Sequence, residues 1–324
     1  MRNDQRTLPR LVADIGGTNA RFAMFFDSAC ALSNERSTSC DQYAGPVDAI
    51  EAYLKETSAP RPHEIAMAVA TTIGADRIQF TNNHWAFSVE ETRQALGIER
   101  LLMLNDFTAL ALSLPHLSAA QQRQVGGGQA TANAAIALIG AGTGLGVSGL
   151  LPTKNGWAPI EGEGGHVSFS PANIRETEIL RIAWREFEHV SGERLISGIG
   201  LDPLYRAIAE LEGMSGPAPT PATITERALR GNDDLCRDVM NTFCGMLGTA
   251  AGNLAVTLGA RGGVYIGGGI VPRLGEFFDR SPFRQRFEAK GRFSDYLKSI
   301  PTKVILADYP ALTGAAQALL RAVS

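Results

Sequence analysis

The sequence predicts a protein of the α/β class with two domains. It has 324 residues, of which 44% are hydrophobic. At about 100 to 200 residues per domain, this length favours two domains with separate cores. Short apolar runs of strand length alternate with segments of helical periodicity, which is the pattern of α/β proteins. In addition, an apolar hairpin with a Gly-Thr turn occurs once in each half of the chain.

The first half begins with a hairpin at 11–25 and then alternates between helix and strand. The helical spacing of Val47, Ile50 and Leu54 predicts a helix at 46–55. The elements predicted after it are a buried strand at 65–70, a helix at 90–96, a strand at 101–104 and a helix at 107–114, which ends before Pro115.

The second half repeats this alternation. The predicted elements are strands at 135–139, 264–266 and 304–306, helices at 178–190, 235–258 and 312–323, and a loop at 213–221 that is rich in Gly, Pro and Ser. We expect the last helix to pack on the first domain. A polar stretch at 118–133 precedes the second hairpin and marks the boundary. The predicted small domain comprises residues 1–115 and 307–324, and the large domain residues 116–306.

The composition excludes several classes of partner. The net charge is −3, the sequence pI is about 6.0 and Lys and Arg do not cluster, so no nucleic-acid partner is expected. The four cysteines include no C-x-x-C pair, which argues against a zinc site and a disulfide framework. Residues 1–10 are polar, and no apolar run approaches the roughly 18 residues of a membrane span. We expect a cytoplasmic protein with a small-molecule ligand and no membrane partner.

The two Gly-Thr turns suggest a pair of phosphate-binding turns. In an ungapped alignment offset by 125 positions, the run Asp-Ile-Gly-Gly-Thr-Asn at 14–19 falls on Ile-Gly-Ala-Gly-Thr-Gly at 139–144. Glycine reaches positive φ and has no Cβ, so successive backbone N–H groups can converge on an anion. Two ordinary glycine-containing hairpins are the alternative. The matched pair, with an acid only at the start of the first turn, favours nucleotide binding.

Other nucleotide-binding motifs fit less well. The chain has no G-x-x-x-x-G-K-[ST], which excludes a P-loop. A G-x-G-x-x-G string occurs at 144–149, but a dinucleotide fingerprint must open a helix, whereas 145–151 continues as an apolar strand. Three glycines at 267–269 offer bare backbone on which adenine or ribose could lie. A packing turn between a strand and a helix explains those glycines equally well.

An Asn-Asp pair at 105–106 directly follows a predicted strand and precedes a predicted helix. Ligands of α/β sheets gather at the carboxyl ends of strands. An aspartate there could accept a hydroxyl proton during phosphoryl transfer, because a carboxylate can align and deprotonate the nucleophile. Aspartate is also a common helix N-cap, so the pattern at Asp106 is compatible with both roles.

Acidic residues and a histidine alternate with glycine in the run Glu-Gly-Glu-Gly-Gly-His at 161–166. The glycines leave Glu163 and His166 reachable from a cleft. A carboxylate and an imidazole suit neighbouring sugar hydroxyls, which reward bidentate hydrogen bonding. A metal site is the weaker alternative, because the other histidines have no ligand spacing to His166 and H-E-x-x-H is absent. Glu193, taken alone, could be a solvated loop charge.

Together these segments resemble the bacterial ATP-dependent glucokinases, which belong to the superfamily of sugar kinases, actin and heat-shock ATPases. The likeness covers nearly the whole chain. It implies two RNase H-like, actin-like domains that flank an interdomain cleft, a homodimer, and transfer of the ATP γ-phosphate to the 6-hydroxyl of D-glucose. The segments that carry it are 14–21, Thr81-Asn82 with 85–88, 105–109, 140–146, 162–167, 193–198 and 267–273.

The resemblance also implies roles for individual residues. Asp106 matches the catalytic base of the family, and Asp14 matches the residue that orients Mg²⁺ through water. The positions that match sugar ligands are Asn82, Asn105, Asp106, Glu163, His166 and Glu193. The positions that match the ATP site are Ala13, Asp14, Ile15, Gly16, Gly17 and Thr18 in the first phosphate loop, Gly142, Thr143 and Gly144 in the second, and Gly268 and Gly269 beside the adenosine.

The chain departs from the family pattern at two points. Ile160-Glu161 stands where a proline usually precedes the Gly-Glu-Gly-Gly-His run, and Asn83-His84 differs from the usual residues before Trp85. Neither change affects the predicted base. Two alternatives stay open: another hexose as acceptor, such as mannose, fructose or an N-acetylated amino sugar, and a non-catalytic sugar-sensing regulator. The regulator is disfavoured, because about ten residues before the first strand are too few for a helix-turn-helix domain.

Overall fold

The chain divides into two units, each built around one main β-sheet. The computed structural model describes residues 8–27, 30–71, 73–80 and 83–321. One unit consists of Met1–Leu117 together with Ala307–Ser324, and the other of Ser118–Leu306. Buried apolar side chains cluster separately in the two units, so each sheet has a core of its own.

The first unit has a main sheet of five strands in the order β3-β2-β1-β4-β7, and a small sheet of β5 and β6. Its elements are β1 (Arg10–Ile15), β2 (Asn19–Phe25), β3 (Ser33–Ser39), α1 (Pro46–Thr57), β4 (Glu64–Val69), β5 (Arg77–Gln79), β6 (Ala86–Ser88), α2 (Val89–Leu96), β7 (Arg100–Asn105), α3 (Asp106–Ser113) and, from the far end of the chain, α12 (Pro310–Arg321).

The second unit has a sheet of six strands in the order β11-β10-β9-β12-β13-β8. Its elements are β8 (Gln122–Val125), β9 (Ile136–Ala141), β10 (Leu145–Thr153), β11 (Gly156–Ile160), α4 (Ile174–Ala183), α5 (Leu201–Leu211), α6 (Pro221–Arg230), α7 (Asp234–Leu258), β12 (Val264–Gly267), α8 (Ile270–Leu274), α9 (Glu276–Arg280), α10 (Phe283–Glu288), α11 (Ser294–Lys298) and β13 (Thr302–Ile305).

The two main sheets share one topology. In the first unit, β1, β2 and β3 form an antiparallel meander, and β4 and β7 are added parallel to β1. In the second unit, β9, β10 and β11 form the meander, and β12 and β13 are added parallel to β9. Strand β8 extends this sheet antiparallel to β13. The repeated Gly-Thr hairpin is therefore the first element of a repeated fold.

Glycines allow close packing between helices inside each unit. In the first unit, α12 packs on α3, and a Cβ at Gly314 would collide with the Ala109 carbonyl oxygen. In the second unit, a Cβ at Gly248 of α7 would collide with the Phe283 carbonyl oxygen of α10. Although α7 has 25 residues, no helix in the described part of the chain is long and apolar enough to cross a membrane.

A buried ion pair ties three helices of the second unit together. Glu176, in the first turn of α4, is 2% exposed, and its Oε1 lies 2.7 Å from Nη1 of Arg286 in α10. Arg286 Nη2 donates to Thr249 Oγ1 of α7 at 2.8 Å. The other carboxylate oxygen of Glu176 accepts the Ala172 N–H at 2.7 Å. Because both oxygens of Glu176 are paired, its charge is satisfied although water is excluded.

Two sequence predictions differ from the structure. The helix predicted at 178–190 corresponds to α4, which starts earlier because the Asn173 side chain caps it by accepting the Glu176 N–H. It also ends earlier than predicted, at Ala183. Trp184, which falls within the predicted range, lies beyond the end of α4 and is 56% exposed. The polar stretch at 118–133, predicted as a connection, contains strand β8. An edge strand of polar residues lacks apolar alternation, so its sequence carries no strand pattern.

Candidate active site

The first Gly-Thr turn connects β1 to β2 at the carboxyl end of β1. A hydrogen bond from the Gly16 N–H to the Asn19 carbonyl oxygen closes it at 2.9 Å. Asn83 Nδ2 donates to the Gly16 carbonyl oxygen at 3.2 Å, so an amide from a distant loop helps to hold the turn. Sequence reasoning missed this role of Asn83, because the two residues are 67 positions apart and no local pattern connects them.

Asp14 lies next to the last residue of β1 and pairs with Arg21 of β2. The strand register sets the two residues opposite each other, and Arg21 Nη1 donates to Asp14 Oδ2 at 3.0 Å. Burial raises the pKa of Asp14 above its ordinary value, and the charge of Arg21 opposes that rise. Arg21 is not among the predicted site residues. Arg21 could be identified from the hairpin register, because residues at equal distances from the turn face each other on the two strands.

Replacing Asp14 with asparagine is expected to raise the melting temperature, and this gain should grow with pH. Because folding raises the pKa of Asp14, the folded protein holds this proton more tightly than the unfolded chain does, and ionisation costs folding free energy. This cost to folding stability is absent at pH values below the pKa of Asp14 in the unfolded chain. It reaches its full size at pH values above the pKa of Asp14 in the folded protein. An asparagine oxygen still accepts the hydrogen bond from Arg21 but carries no charge. Thermal melts between about pH 4 and about pH 8 measure the difference.

The matched control is Asp233, the N-cap of α7. The Cys236 backbone N–H lowers the pKa of Asp233, so its contribution to stability is present above the unfolded pKa and is lost as pH falls through the folded pKa. Asp233→Asn should therefore lower the melting temperature more at neutral pH than at acid pH. A gain in Asp14→Asn that shrinks as pH rises would contradict the buried-acid interpretation.

Asn105 and Asp106 lie at the junction of β7 and α3. Asn105 caps the helix, because its Oδ1 accepts the N–H groups of Phe107 at 2.9 Å and Thr108 at 3.3 Å. Asp106 is the first helical residue, and its Oδ1 accepts the Phe107 N–H at 2.8 Å. The N-cap of α3 is therefore Asn105, not Asp106.

This junction lies on the same edge of the sheet as the first Gly-Thr turn. The parallel pairings set Ile15 of β1 level with Val69 of β4, and Val69 level with Asn105 of β7. With a usual spacing of about 4.8 Å between neighbouring strands, the ends of β1 and β7 are roughly 10 Å apart. The first unit therefore presents a glycine turn and a carboxylate at one sheet edge.

The second Gly-Thr turn connects β9 to β10 and is one residue shorter than the first. The innermost strand pair of the second hairpin, Ala141 and Leu145, encloses residues 142–144. The innermost pair of the first hairpin, Ile15 and Ala20, encloses residues 16–19, which is one residue more. The Gly142 N–H donates to the Gly144 carbonyl oxygen at 2.9 Å. Neither Gly142 nor Gly144 has a positive φ, so neither glycine supplies left-handed backbone to this turn. A Cβ at Gly144 would collide with Oε2 of Glu193, whereas a Cβ at Gly142 would meet nothing within 4 Å.

The glycines at 267–269 lie beside this second turn. Strand β12 is parallel to β9, and Gly267 pairs with Gly140. Gly268 has φ 79°, a conformation that costs glycine little, and a Cβ at this position would collide with the Ala141 carbonyl oxygen. The two turns therefore form adjacent stretches of bare backbone at the carboxyl ends of β9 and β12.

The predicted sugar-binding loop packs against the second turn. Glu163 is exposed and precedes a 3-10 turn at Gly164–His166, and a Cβ at Gly165 would collide with the Leu145 carbonyl oxygen. Glu193 joins the loop to the turn. Its N–H donates to the Gly165 carbonyl oxygen at 2.9 Å, and its Oε2 accepts the Leu145 N–H at 2.9 Å.

An open cavity adjoins this loop. His166 is exposed, and its Nδ1 lies 3.9 Å from Oε1 of Glu193. Both residues line a cavity of about 380 Å³, together with Glu186, Glu188 and His189. This volume lies within the usual range for small-molecule sites, and the polar lining suits a ligand rich in hydroxyl groups.

The structure gathers the predicted site residues in two groups. Asn82 lies outside the described residues, and Glu161 is exposed. Within the described ranges, no three or more His, Cys, Asp or Glu side chains form a group that could hold a metal ion. The first unit contains Ala13, Asp14, Ile15, Gly16, Gly17, Thr18, Asn105 and Asp106, and the second unit contains Gly142, Thr143, Gly144, Glu163, His166, Glu193, Gly268 and Gly269.

Comparison with known proteins identifies the family. The family model described as Glucokinase matches residues 11–322. A glucokinase from Aromatoleum aromaticum is 52% identical over 319 residues, which are 98% of this chain and 96% of that protein. The chain belongs to the glucokinase family. The predictions of this family and of a hexose kinase are thereby confirmed.

Solved structures support the glucokinase-family fold. A crystal structure of a glucokinase from an Antarctic psychrotroph superposes with a TM-score of 0.88 at 37% identity, covering 97% of this chain and 99% of that one. A ROK hexokinase from Thermus thermophilus shares the fold at 18% identity, with a TM-score of 0.70 and coverage of 98% and 100%. The predicted α/β fold with two RNase H-like, actin-like domains is confirmed.

Proposed function

We propose that this protein transfers the γ-phosphate of ATP to the 6-hydroxyl of D-glucose, forming glucose 6-phosphate and ADP. The observation that carries the proposal is the location of Asp106. It follows the strand that ends level with the first Gly-Thr turn, and its helix is capped by Asn105. A carboxylate and a glycine turn that we propose to bind phosphate thus share one sheet edge, an arrangement suited to phosphoryl transfer. Relatives named glucokinase support the choice of glucose as acceptor.

Asp106 is the proposed general base. Its carboxylate accepts the proton of the 6-hydroxyl while that oxygen attacks the γ-phosphorus. The new O–P bond forms as the bond from the γ-phosphorus to the β–γ bridging oxygen breaks, and ADP leaves with the electron pair. Asp106 returns its proton to water after the products depart. Because phosphoryl transfer depends mainly on positioning and charge stabilisation, one carboxylate is sufficient as base.

Glucose-binding side chains are proposed in each unit, and we propose these units as the small and large domains. Asn105 uses its Oδ1 to cap α3, so its Nδ2 is the group that can donate to a sugar hydroxyl. The carboxylates of Glu163 and Glu193 can accept from hydroxyls, and His166 can donate or accept. Asn82 is proposed as a further sugar contact.

ATP is proposed to lie on the glycine turns. Residues 13–18 and 142–144 would line the phosphates with their remaining backbone N–H groups, since those of Gly16 and Gly142 close the two turns. Gly268 and Gly269 would lie beside the adenosine. Asp14 fits a Mg²⁺ ion held through water: it is a single carboxylate at the phosphate turn, and Mg²⁺ usually keeps several waters and takes phosphate oxygens as ligands. When bound, Mg²⁺ offsets negative charge on the phosphates. The homodimer and the cytoplasmic location stay predictions.

A coupled assay of ADP release tests the proposal across D-glucose, D-mannose, D-fructose and N-acetyl-D-glucosamine. Glucose is expected to give the highest kcat/KM, by at least about tenfold, because a misplaced hydroxyl leaves polar groups of the site unpaired. A higher kcat/KM for another sugar would show that this sugar is the preferred acceptor, while the proposed phosphoryl transfer would stand. Sugar binding without ADP release for any sugar would instead favour the sugar-sensing regulator.

A further inference from the structure

We propose that Glu193 is a positioning residue that couples sugar binding to the second phosphate turn. The inference rests on the proposed function and assigns Glu193 a task beyond contact with glucose. One carboxylate contacts both proposed binding elements: Oε2 holds the residue that follows the turn at Gly142–Gly144, and Oε1 is the oxygen on the side of His166.

The contact with the turn is direct. Oε2 of Glu193 accepts the N–H of Leu145, the residue that follows the turn, at 2.9 Å. A Cβ at Gly144 would collide with the same oxygen. Gly144 does not adopt positive φ, so a side chain here would displace the carboxylate rather than strain the backbone. Asn19, which aligns with Gly144 in the first hairpin, has a side chain, so this constraint is specific to the second turn.

The backbone around Glu193 strengthens the connection. The Gly198 N–H donates to the Gly142 carbonyl oxygen at 2.8 Å, and the Ile199 N–H donates to the Thr143 carbonyl oxygen at 3.2 Å. Ser197 Oγ donates to the Glu193 carbonyl oxygen at 2.7 Å. The segment 193–199 therefore contacts the turn through its backbone as well as through the Glu193 carboxylate.

The same segment holds the sugar loop. The Glu193 N–H donates to the Gly165 carbonyl oxygen at 2.9 Å, and Oε1 lies 3.9 Å from Nδ1 of His166. The Glu193 side chain is 20% exposed, so a ligand can reach it while most of its surface stays packed. A sugar hydroxyl that donates to Oε1 would restrict the carboxylate and so hold Oε2 on the Leu145 N–H.

Glucose should therefore raise the affinity of this protein for nucleotide, and nucleotide should raise its affinity for glucose by the same factor, because coupling between two binding sites is reciprocal. We expect a factor of about five to ten, at the lower end of usual coupling. The proposed coupling acts through residues of the second unit. If Glu193 only bound the sugar, it would not couple sugar binding to nucleotide binding.

The decisive variant is Gly144→Ala, with Gly142→Ala as its matched control. Both add one methyl group to the same turn, but the methyl at 144 displaces the Glu193 carboxylate, whereas the methyl at 142 meets nothing within 4 Å. Isothermal titration of nucleotide-free protein with D-glucose should show about tenfold weaker binding for Gly144→Ala. Gly142→Ala, although in the nucleotide turn, should bind glucose within about twofold of the unmodified protein. Equal glucose affinities in the two variants would overturn the proposal.

A second measurement titrates AMPPNP with Mg²⁺ in the presence and absence of 6-deoxy-D-glucose, which lacks the acceptor hydroxyl. The sugar should tighten nucleotide binding by about five- to tenfold in the unmodified protein and not in Gly144→Ala. Glu193→Gln keeps an oxygen for the Leu145 N–H and should bind nucleotide normally without sugar, whereas Glu193→Ala should bind it more weakly. Identical nucleotide binding in these two variants would overturn the proposal even if Gly144→Ala fails to fold.

The outcomes separate this inference from the proposed function. If the unmodified protein phosphorylates glucose but the sugar does not change nucleotide affinity, the coupling is wrong and the function stands. If the unmodified protein neither binds nor phosphorylates glucose, both are wrong.

Discussion

Replacing Asp106 with asparagine is expected to lower kcat by about a hundredfold to ten-thousandfold, the usual contribution of a general base. The amide has nearly the same shape, and its oxygen can still accept the Phe107 N–H that Asp106 accepts at 2.8 Å. It cannot take the proton of the 6-hydroxyl at neutral pH. The loss should therefore appear in kcat, while glucose and nucleotide bind within a fewfold of their normal affinities.

Asp234→Asn is the matched control for Asp106→Asn. Asp234 is also the first residue of a helix, α7, but its side chain is 89% exposed and pairs with Arg237 within the same helix. This substitution should leave kcat unchanged. Near-normal turnover in Asp106→Asn, or an equal loss in both variants, would contradict the assignment of Asp106 as base.

Replacing Arg286 with methionine is expected to lower the free energy of unfolding by about 3–5 kcal/mol, because it leaves a buried carboxylate without its partner. The side chain of Glu176 is 3% exposed, and that of Arg286 is 20% exposed. The hydrogen bond from Arg286 to Thr249 is lost as well. Urea denaturation followed by circular dichroism measures the change, with the second unit expected to unfold first.

Two further variants test the cause of this loss. The double variant Glu176→Leu/Arg286→Met removes both charges, so it should recover most of the lost stability. Arg280→Met removes the arginine of an ion pair with Glu276 in which both side chains are 80% exposed, and it should change stability little, since exposed pairs contribute little. A double variant as unstable as Arg286→Met would show that packing, not the unpaired charge, is the cause.

Local patterns in the sequence predicted much of the fold and of the candidate site. The helical spacing at 46–55 corresponds to α1, and the long apolar stretch at 235–258 corresponds to α7. The Gly-Thr turns, the Asn105-Asp106 junction and the loop at 161–166 were also visible, because each lies within one short segment whose residue types define its chemistry. At Asp106 the sequence left two roles open, and the structure assigns the cap of α3 to Asn105.

Features that depend on distant residues were missed. Strand β8 exists because it pairs with β13, although its own residues are polar. The start of α4 was missed for a local reason instead: Asn173 caps the helix, while the apolar periodicity used to place it suggested a later start. Arg21 pairs with Asp14 from the neighbouring strand, and Asn83 contacts the first turn from another loop. Periodicity reports on one element at a time, so it does not identify such partners.

By itself, the sequence determined the α/β class, the repeated Gly-Thr hairpin, the resemblance to glucokinases and the residue types of the candidate site. Only the tertiary structure decided how those residues are connected. Glu193 and Leu145 are 48 positions apart, yet one hydrogen bond joins them, and it holds the carboxylate where a Cβ at residue 144 would meet it. The physical reason is that hydrogen bonds and steric contacts act over a few ångströms, and which distant residues come that close depends on the folded chain rather than on spacing within a segment.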